Sequence, residues 1–135
     1  MRPVVARATV DRPAAELHAL LADLPGHWRL AGRWVQPLVL DDDGGVVRIR
    51  GPLGLSRTAS TRVLRSEPPS LVAGEARLGS TRAAVTWSLV PRGERTEVTL
   101  RADLLAVSPV DRLLLAVGAR RWLAARFAAT LQRLR

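Results

Sequence analysis

The sequence contains no cysteine. That excludes disulfides, thiolate metal sites and a cysteine nucleophile, and it suits a cytoplasmic protein. Lysine, asparagine and tyrosine are also missing, and Ile49 is the single isoleucine. All 21 basic residues are therefore arginine. This skew fits a GC-rich, bacterial-like coding bias, with arginine where lysine would otherwise stand. Aromatic rings are few: four tryptophans and Phe127. No apolar run reaches the roughly 18 residues that a membrane-spanning helix needs. Near the N-terminus there is no long apolar segment and no cleavage site, so no signal peptide is expected.

What remains is the text of a globular protein. The 135 residues, 47% hydrophobic and 24% charged, fit one domain over 1–135 with one core. The net charge of +9 raises the question of nucleic acid. The arginines are spread along the chain, however, whereas a nucleic-acid footprint clusters on one face. A solvated basic surface is the favoured reading. No repeat, low-complexity tract or linker divides the chain.

Residues 3–10 alternate, with Val4, Ala6, Ala8 and Val10 on one face, as in a half-buried strand. Asp11 is placed to cap a helix, and Pro13 and Glu16 suit its first turn. Leu17, Leu20, Leu21 and Leu24 form its apolar stripe. Pro25-Gly26 reads as its stop. His27 to Gly32 predicts a second short helical turn with Trp28 inward. From Trp34 to Ala106 the pattern predicts six strands: 34–40, 46–51, 55–65, 71–78, 81–90 and 95–106. They are joined at Asp41-Asp42-Asp43-Gly44-Gly45, Gly51-Pro52-Leu53-Gly54, Glu67-Pro68-Pro69-Ser70, Gly79-Ser80 and Pro91-Arg92-Gly93-Glu94. Ser108 then starts a long helix running to near Arg135. The predicted fold is α+β: a seven-stranded curved antiparallel sheet, two short helices, and a long C-terminal helix covering the sheet.

This order resembles the START-like, birch-pollen-allergen-like superfamily also called SRPBCC, which includes polyketide cyclases/dehydrases and lipid-transport proteins. The telling local text is Thr9 to Leu17, then Leu21-Ala22-Asp23-Leu24, then Trp28. The stretch from Ser56-Arg57-Thr58 through Pro68-Pro69 to Leu71 looks like the family's central hairpin. The resemblance covers essentially the whole chain and implies a helix-grip fold around a hydrophobic ligand cavity. It leaves carrier or enzyme undecided, since fold does not fix function.

The residues themselves offer little chemistry. Two histidines, His18 and His27, lack metal-site spacing, so no metal and no cofactor is expected. The Asp41–Asp43 run is good turn chemistry. No phosphate-cradling glycine loop or nucleophile elbow is present. On the C-terminal helix, Val110, Leu113, Val117, Ala124, Phe127, Ala128 and Leu131 are placed on one inward arc, with Arg120 inside it and Arg121 at its edge beside Leu114. An arginine there needs a partner. It would meet a ligand carboxylate, enol or carbonyl, or else pair with Asp103 or Glu75 or reach solvent. Gly118 leaves room for a ligand or for close approach to the sheet. Trp122 and Leu115 are placed on an outward strip suited to a partner or a homodimer contact. The expected ligand contacts are Trp28, Trp87, Leu100, Leu114, Val117, Gly118, Arg120 and Arg121. Three functions follow, in order of preference. The first is binding of a small hydrophobic or amphipathic, lipid- or polyketide-like molecule. The second is a polyketide cyclase or dehydratase activity with no identified general base. The third is a partner-binding regulatory module.

Overall fold

A computed structural model describes residues 2–41, 43–51 and 55–134. The order is β1 (Val4–Val10), α1 (Ala14–Ala22), α2 (Leu24–Ala31), then β2 (Val35–Leu40), β3 (Gly44–Arg50), β4 (Ser56–Glu67), β5 (Leu71–Leu78), β6 (Thr81–Arg92) and β7 (Arg95–Ala106). A C-terminal helical segment follows: α3 (Pro109–Leu114), a π-helical stretch (Leu115–Ala119) and α4 (Arg120–Gln132). The strands form one antiparallel sheet ordered β1-β7-β6-β5-β4-β3-β2. β2 to β7 is a meander of hairpins, and β1 closes against β7 with Val4 opposite Ala102 and Val10 opposite Thr96. This is the seven-stranded helix grip that the alternating text predicts. The turn at residues 52–54, and Asp42, lie outside the described residues.

Alternation decides which face packs. Val4 and Val10 of β1, Val98, Leu100 and Ala102 of β7, and Trp87 and Leu89 of β6 are buried together. Leu17 and Leu21 of α1 and Phe127 and Leu131 of α4 close over them. Fully burying each leucine contributes roughly 1.5–3 kcal/mol, so this half of the sheet anchors the fold. Thr96, itself buried, donates through Oγ1 to the Arg12 carbonyl at 2.7 Å and fixes the link between β1 and α1. At the other half, Val35, Val47 and Ala59 form a small separate cluster.

The sheet bends between these two clusters. Register shifts fall at Pro37/Val39, Val63/Arg65 and Arg82/Ala83, and such bulges increase local twist and bending. Beside the β4 bulge, β5 passes so close that a Cβ on Gly74 would lie 2.4 Å from the Arg62 carbonyl oxygen. Only glycine fits there. The outer strand β2 carries Pro37, which has no N–H to donate.

Three local expectations are corrected. Asp11 does not cap α1: the N-cap is Pro13, with no side-chain cap, and Asp11 instead pairs with Arg95 at 2.8 Å. Pro25-Gly26 does not end a helix. α1 stops at Ala22, and α2 starts at Leu24 with the proline in its first turn, where its missing N–H has no helical partner to lose. The C-terminal helix is not uniform either. Gly118 has φ 136° and ψ −10° inside the π-helical stretch, a conformation that turns the axis and resets which residues face inward.

Candidate functional site

A cavity of about 320 Å³ lies between the concave face of the sheet and the C-terminal segment. Its floor is Val47, Ala59, Val63, Val72, Ala83, Val85, Trp87, Leu100 and Ala102 from β3 to β7. Its cover is Leu114, Leu115, Ala119, Trp122, Leu123 and Phe127. Trp34 and Trp28 complete the wall, and Trp34 meets Trp122 edge-on at 5.5 Å between ring centroids. A helix is too narrow to fill the bend of the sheet, and small residues at Ala59, Ala83 and Ala102 add to the space. Such a wall holds apolar surface and offers few hydrogen bonds.

Polar side chains interrupt it: Thr61, Arg62, Glu75 and Thr130 line it, and two further groups carry the local chemistry. The first joins β4, β6 and α3. Asp111 forms an ion pair with Arg57 and accepts a hydrogen bond from the Thr81 hydroxyl. Ser108 caps α3 by accepting from the Asp111 backbone N–H at 3.1 Å, and its own N–H donates to Thr81 Oγ1 at 3.1 Å. Arg57 also donates to the Leu78 carbonyl at 3.2 Å. Burial alone would raise the Asp111 carboxyl. Hydrogen bonds from Thr81, Arg57 and Ser108, with the Arg57 charge, outweigh it and hold the group below the ordinary carboxylate value.

The second is His27 on α2. Its Nδ1 lies 3.0 Å from the Leu21 carbonyl oxygen. Its ring stands 5.0 Å from Trp28 and 5.5 Å from Trp87, edge-on to the latter. Burial pushes its pKa below the ordinary value, against the smaller opposing effect of the Leu21 bond. His27 and the Asp111 cluster occupy opposite ends. Trp87, beside His27, and Thr81, beside Asp111, are six positions apart on β6, roughly 20 Å along an extended strand. The other histidine, His18, is buried on α1 with Nε2 3.1 Å from Ser66 Oγ and lies outside the cavity.

Of the residues expected to contact a ligand, Trp28, Trp87, Leu100 and Leu114 line the cavity. Val117, Gly118, Arg120 and Arg121 do not. Arg120 meets neither a cavity nor a carboxylate: it donates to the Arg2 carbonyl at 2.7 Å and the Pro3 carbonyl at 3.4 Å, so it ties α4 to the start of β1. Asp103 and Glu75, its alternative partners, pair with Arg101 and with Arg77 and Arg82. Arg121 is exposed. Val110, Leu113 and Val117, expected inward, are 68%, 64% and 71% exposed. Trp122 and Leu115, expected outward, line the cavity. The cause is shared: the π-helical stretch and Gly118 break the single 100° phase that a regular helix would carry through both halves.

Sequence reasoning missed Arg57, Thr81 and Asp111. Strand parity carries part of the signal, since Arg57 shares its row with Ala59, Thr61 and Val63, and Thr81 with Ala83, Val85 and Trp87. Ser108-x-x-Asp111 is also a capping pattern that places Asp111 in the first helical turn. Asp41 Oδ1 accepts from the backbone N–H of Asp43 and Gly44 at 3.0 and 2.8 Å, as turn chemistry requires. Among the described residues no helix is long and apolar enough to cross a membrane.

Comparison with known proteins agrees with this architecture. The protein TTHA0849 from Thermus thermophilus superposes with a TM-score of 0.72 at 18% identity, covering 98% of this chain and 94% of that one. Protein Ms6760 from Mycobacterium smegmatis gives 0.73 at 11% identity, over 98% and 87%. The Zhui aromatase/cyclase from Streptomyces sp. R1128 gives 0.67 at 20% identity, over 98% and 93%. At such identities the likeness is one of fold. No functionally curated protein matches the sequence. The family model for polyketide cyclase / dehydrase and lipid transport matches residues 1–135. With its seven-stranded grip and apolar cavity, the chain belongs to that polyketide cyclase/dehydrase and lipid-transport family.

Proposed function

We propose that this protein binds a small hydrophobic or amphipathic molecule, lipid- or polyketide-like, in the cavity beneath the C-terminal segment. One observation carries the reading: the cavity keeps about 320 Å³ of space with Trp122, Leu123 and Phe127 already packed over it. Space of that size lined by apolar side chains is the usual form of a small-molecule site. The test is uptake of the fluorescent apolar probe N-phenyl-1-naphthylamine. Wild type is expected to bind it with a fluorescence increase. Ala119→Trp, which fills the cavity from its cover, is expected to weaken binding at least tenfold while circular dichroism stays unchanged. A wild-type protein that gives no increase sinks the proposal.

The second reading is a cyclase or dehydratase. It is favoured by His27, an imidazole on the cavity wall whose protonation burial disfavours, which is the class of group a general base requires. The Zhui neighbour is named an aromatase/cyclase. Conversion of a bound poly-β-ketone by wild type and its loss in His27→Phe would favour this reading over a carrier. The Trp122–Leu115 strip no longer supports the partner-binding reading, since both residues line the cavity; a basic surface meeting an acidic partner is its other ground.

A further inference from the structure

His27 holds more information than its place in the wall. The Leu21 carbonyl oxygen, 3.0 Å from Nδ1, has no proton to give. The Nδ1 nitrogen must therefore be the donor and carry a proton. Burial disfavours the doubly protonated ring. The remaining nitrogen, Nε2, is then an acceptor with a lone pair. No hydrogen-bond partner for it is found among the described residues.

The rings beside His27 have the opposite deficit. Trp87 and Trp28 carry buried indole N–H groups with no acceptor. These donors do not reach Nε2, although the rings stand 5.0 and 5.5 Å from the imidazole. A buried polar group without a partner is unfavourable; the two indole N–H groups are in that position, whereas Nε2 keeps accessible surface on a ring that lines the cavity.

We propose that His27 Nε2 is the polar anchor of the cavity and selects ligands that present a hydroxyl group, phenolic, enolic or alcoholic, on an otherwise apolar body. Only a donor satisfies the lone pair. A ketone, ether or carboxylate at this end sets lone pair against lone pair and is disfavoured. A cationic amine head is excluded by desolvation in so apolar a site. The inference rests on the cavity reading above and narrows it: the ligand's end near Trp28 and Trp87 is a hydroxyl and not an acid.

The test compares two probes of nearly equal shape, 2-naphthol and 2-methoxynaphthalene, by calorimetry at neutral pH. The second lacks the donor. The ratio of their affinities is measured in wild type and in His27→Phe, so that differences in the probes' own hydrophobicity cancel. The ratio is expected to fall about fivefold from wild type to His27→Phe, the size of one hydrogen bond. An unchanged ratio overturns the proposal and leaves the cavity reading standing. Failure of wild type to bind either probe overturns both. Should His27→Phe not fold, nitrogen NMR of the wild type decides. The Nε2 resonance should move toward the protonated range with 2-naphthol and stay with 2-methoxynaphthalene. No movement with bound 2-naphthol overturns the proposal.

Discussion

The two halves of the C-terminal segment perform different tasks. In α4, Phe127, Thr130 and Leu131 are buried, and the side chains lock into the core over β1 and β7. In α3 and the π-helical stretch, only Asp111 is buried, and Val110, Leu113 and Val117 stand in solvent. One half grips the sheet. The other roofs a space. Its inward residues, Leu114 and Leu115, face the cavity, so its position is held by the polar tie at its tip, where Asp111 meets Arg57 and Thr81. Hydrophobic burial fixes α4, and hydrogen-bonded charge fixes α3.

This contrast is open to breaking by substitution. The largest effect is expected from Leu131→Ala in α4. Leu131 is 1% exposed, and truncating so buried a leucine costs about 2–5 kcal/mol. Urea unfolding measures it, and a loss under about 1 kcal/mol would mean that α4 does not anchor the fold. Asp111→Asn comes next, at about 1–3 kcal/mol, because it weakens the tie and leaves Arg57 without its carboxylate. The pH dependence follows from the depressed carboxyl. The unfolded state binds the proton more readily, so the stabilisation is complete above the ordinary value of 3.8. It is lost as pH falls from there through the depressed folded value. Asp111→Asn should abolish this acid-side loss in a series of unfolding curves. Leu113→Ala in α3 should change stability least, within about 0.5 kcal/mol, although it removes the same side chain as Leu131→Ala. Equal losses at 113 and 131 would erase the distinction between grip and roof.

The strands were readable because each carries a period of two, and because Gly, Pro and Asp mark their ends. β5, expected at 71–78, spans Leu71–Leu78. The face that β7 buries was readable too: Val98, Leu100 and Ala102 follow one parity. The roof was not readable, for a physical reason. A helical phase can be extended only while φ and ψ stay helical, and nothing in Val117-Gly118-Ala119 announces a φ of 136°. Extending one phase through it exchanged the inward and outward residues of α3. The start of α2 was misplaced, at His27 instead of Leu24, because a proline after leucines reads equally as a stop or as the first turn of a new helix. The Arg57–Thr81–Asp111 cluster joins residues 24 and 30 positions apart along the chain (81 − 57 and 111 − 81). Parity puts each on the inner face, but only the assembled sheet brings them together.

Pro37, on the outermost strand, has a consequence for solubility. An unpaired strand carrying the exposed residues Leu38 and Val39 offers other molecules a template for intermolecular β-ladders, the first step toward fibrils. The proline removes one N–H from that strand, and the register shift beside it interrupts its regularity. The same kink that helps curve the sheet around its cavity thus also discourages end-on polymerisation of neighbouring copies.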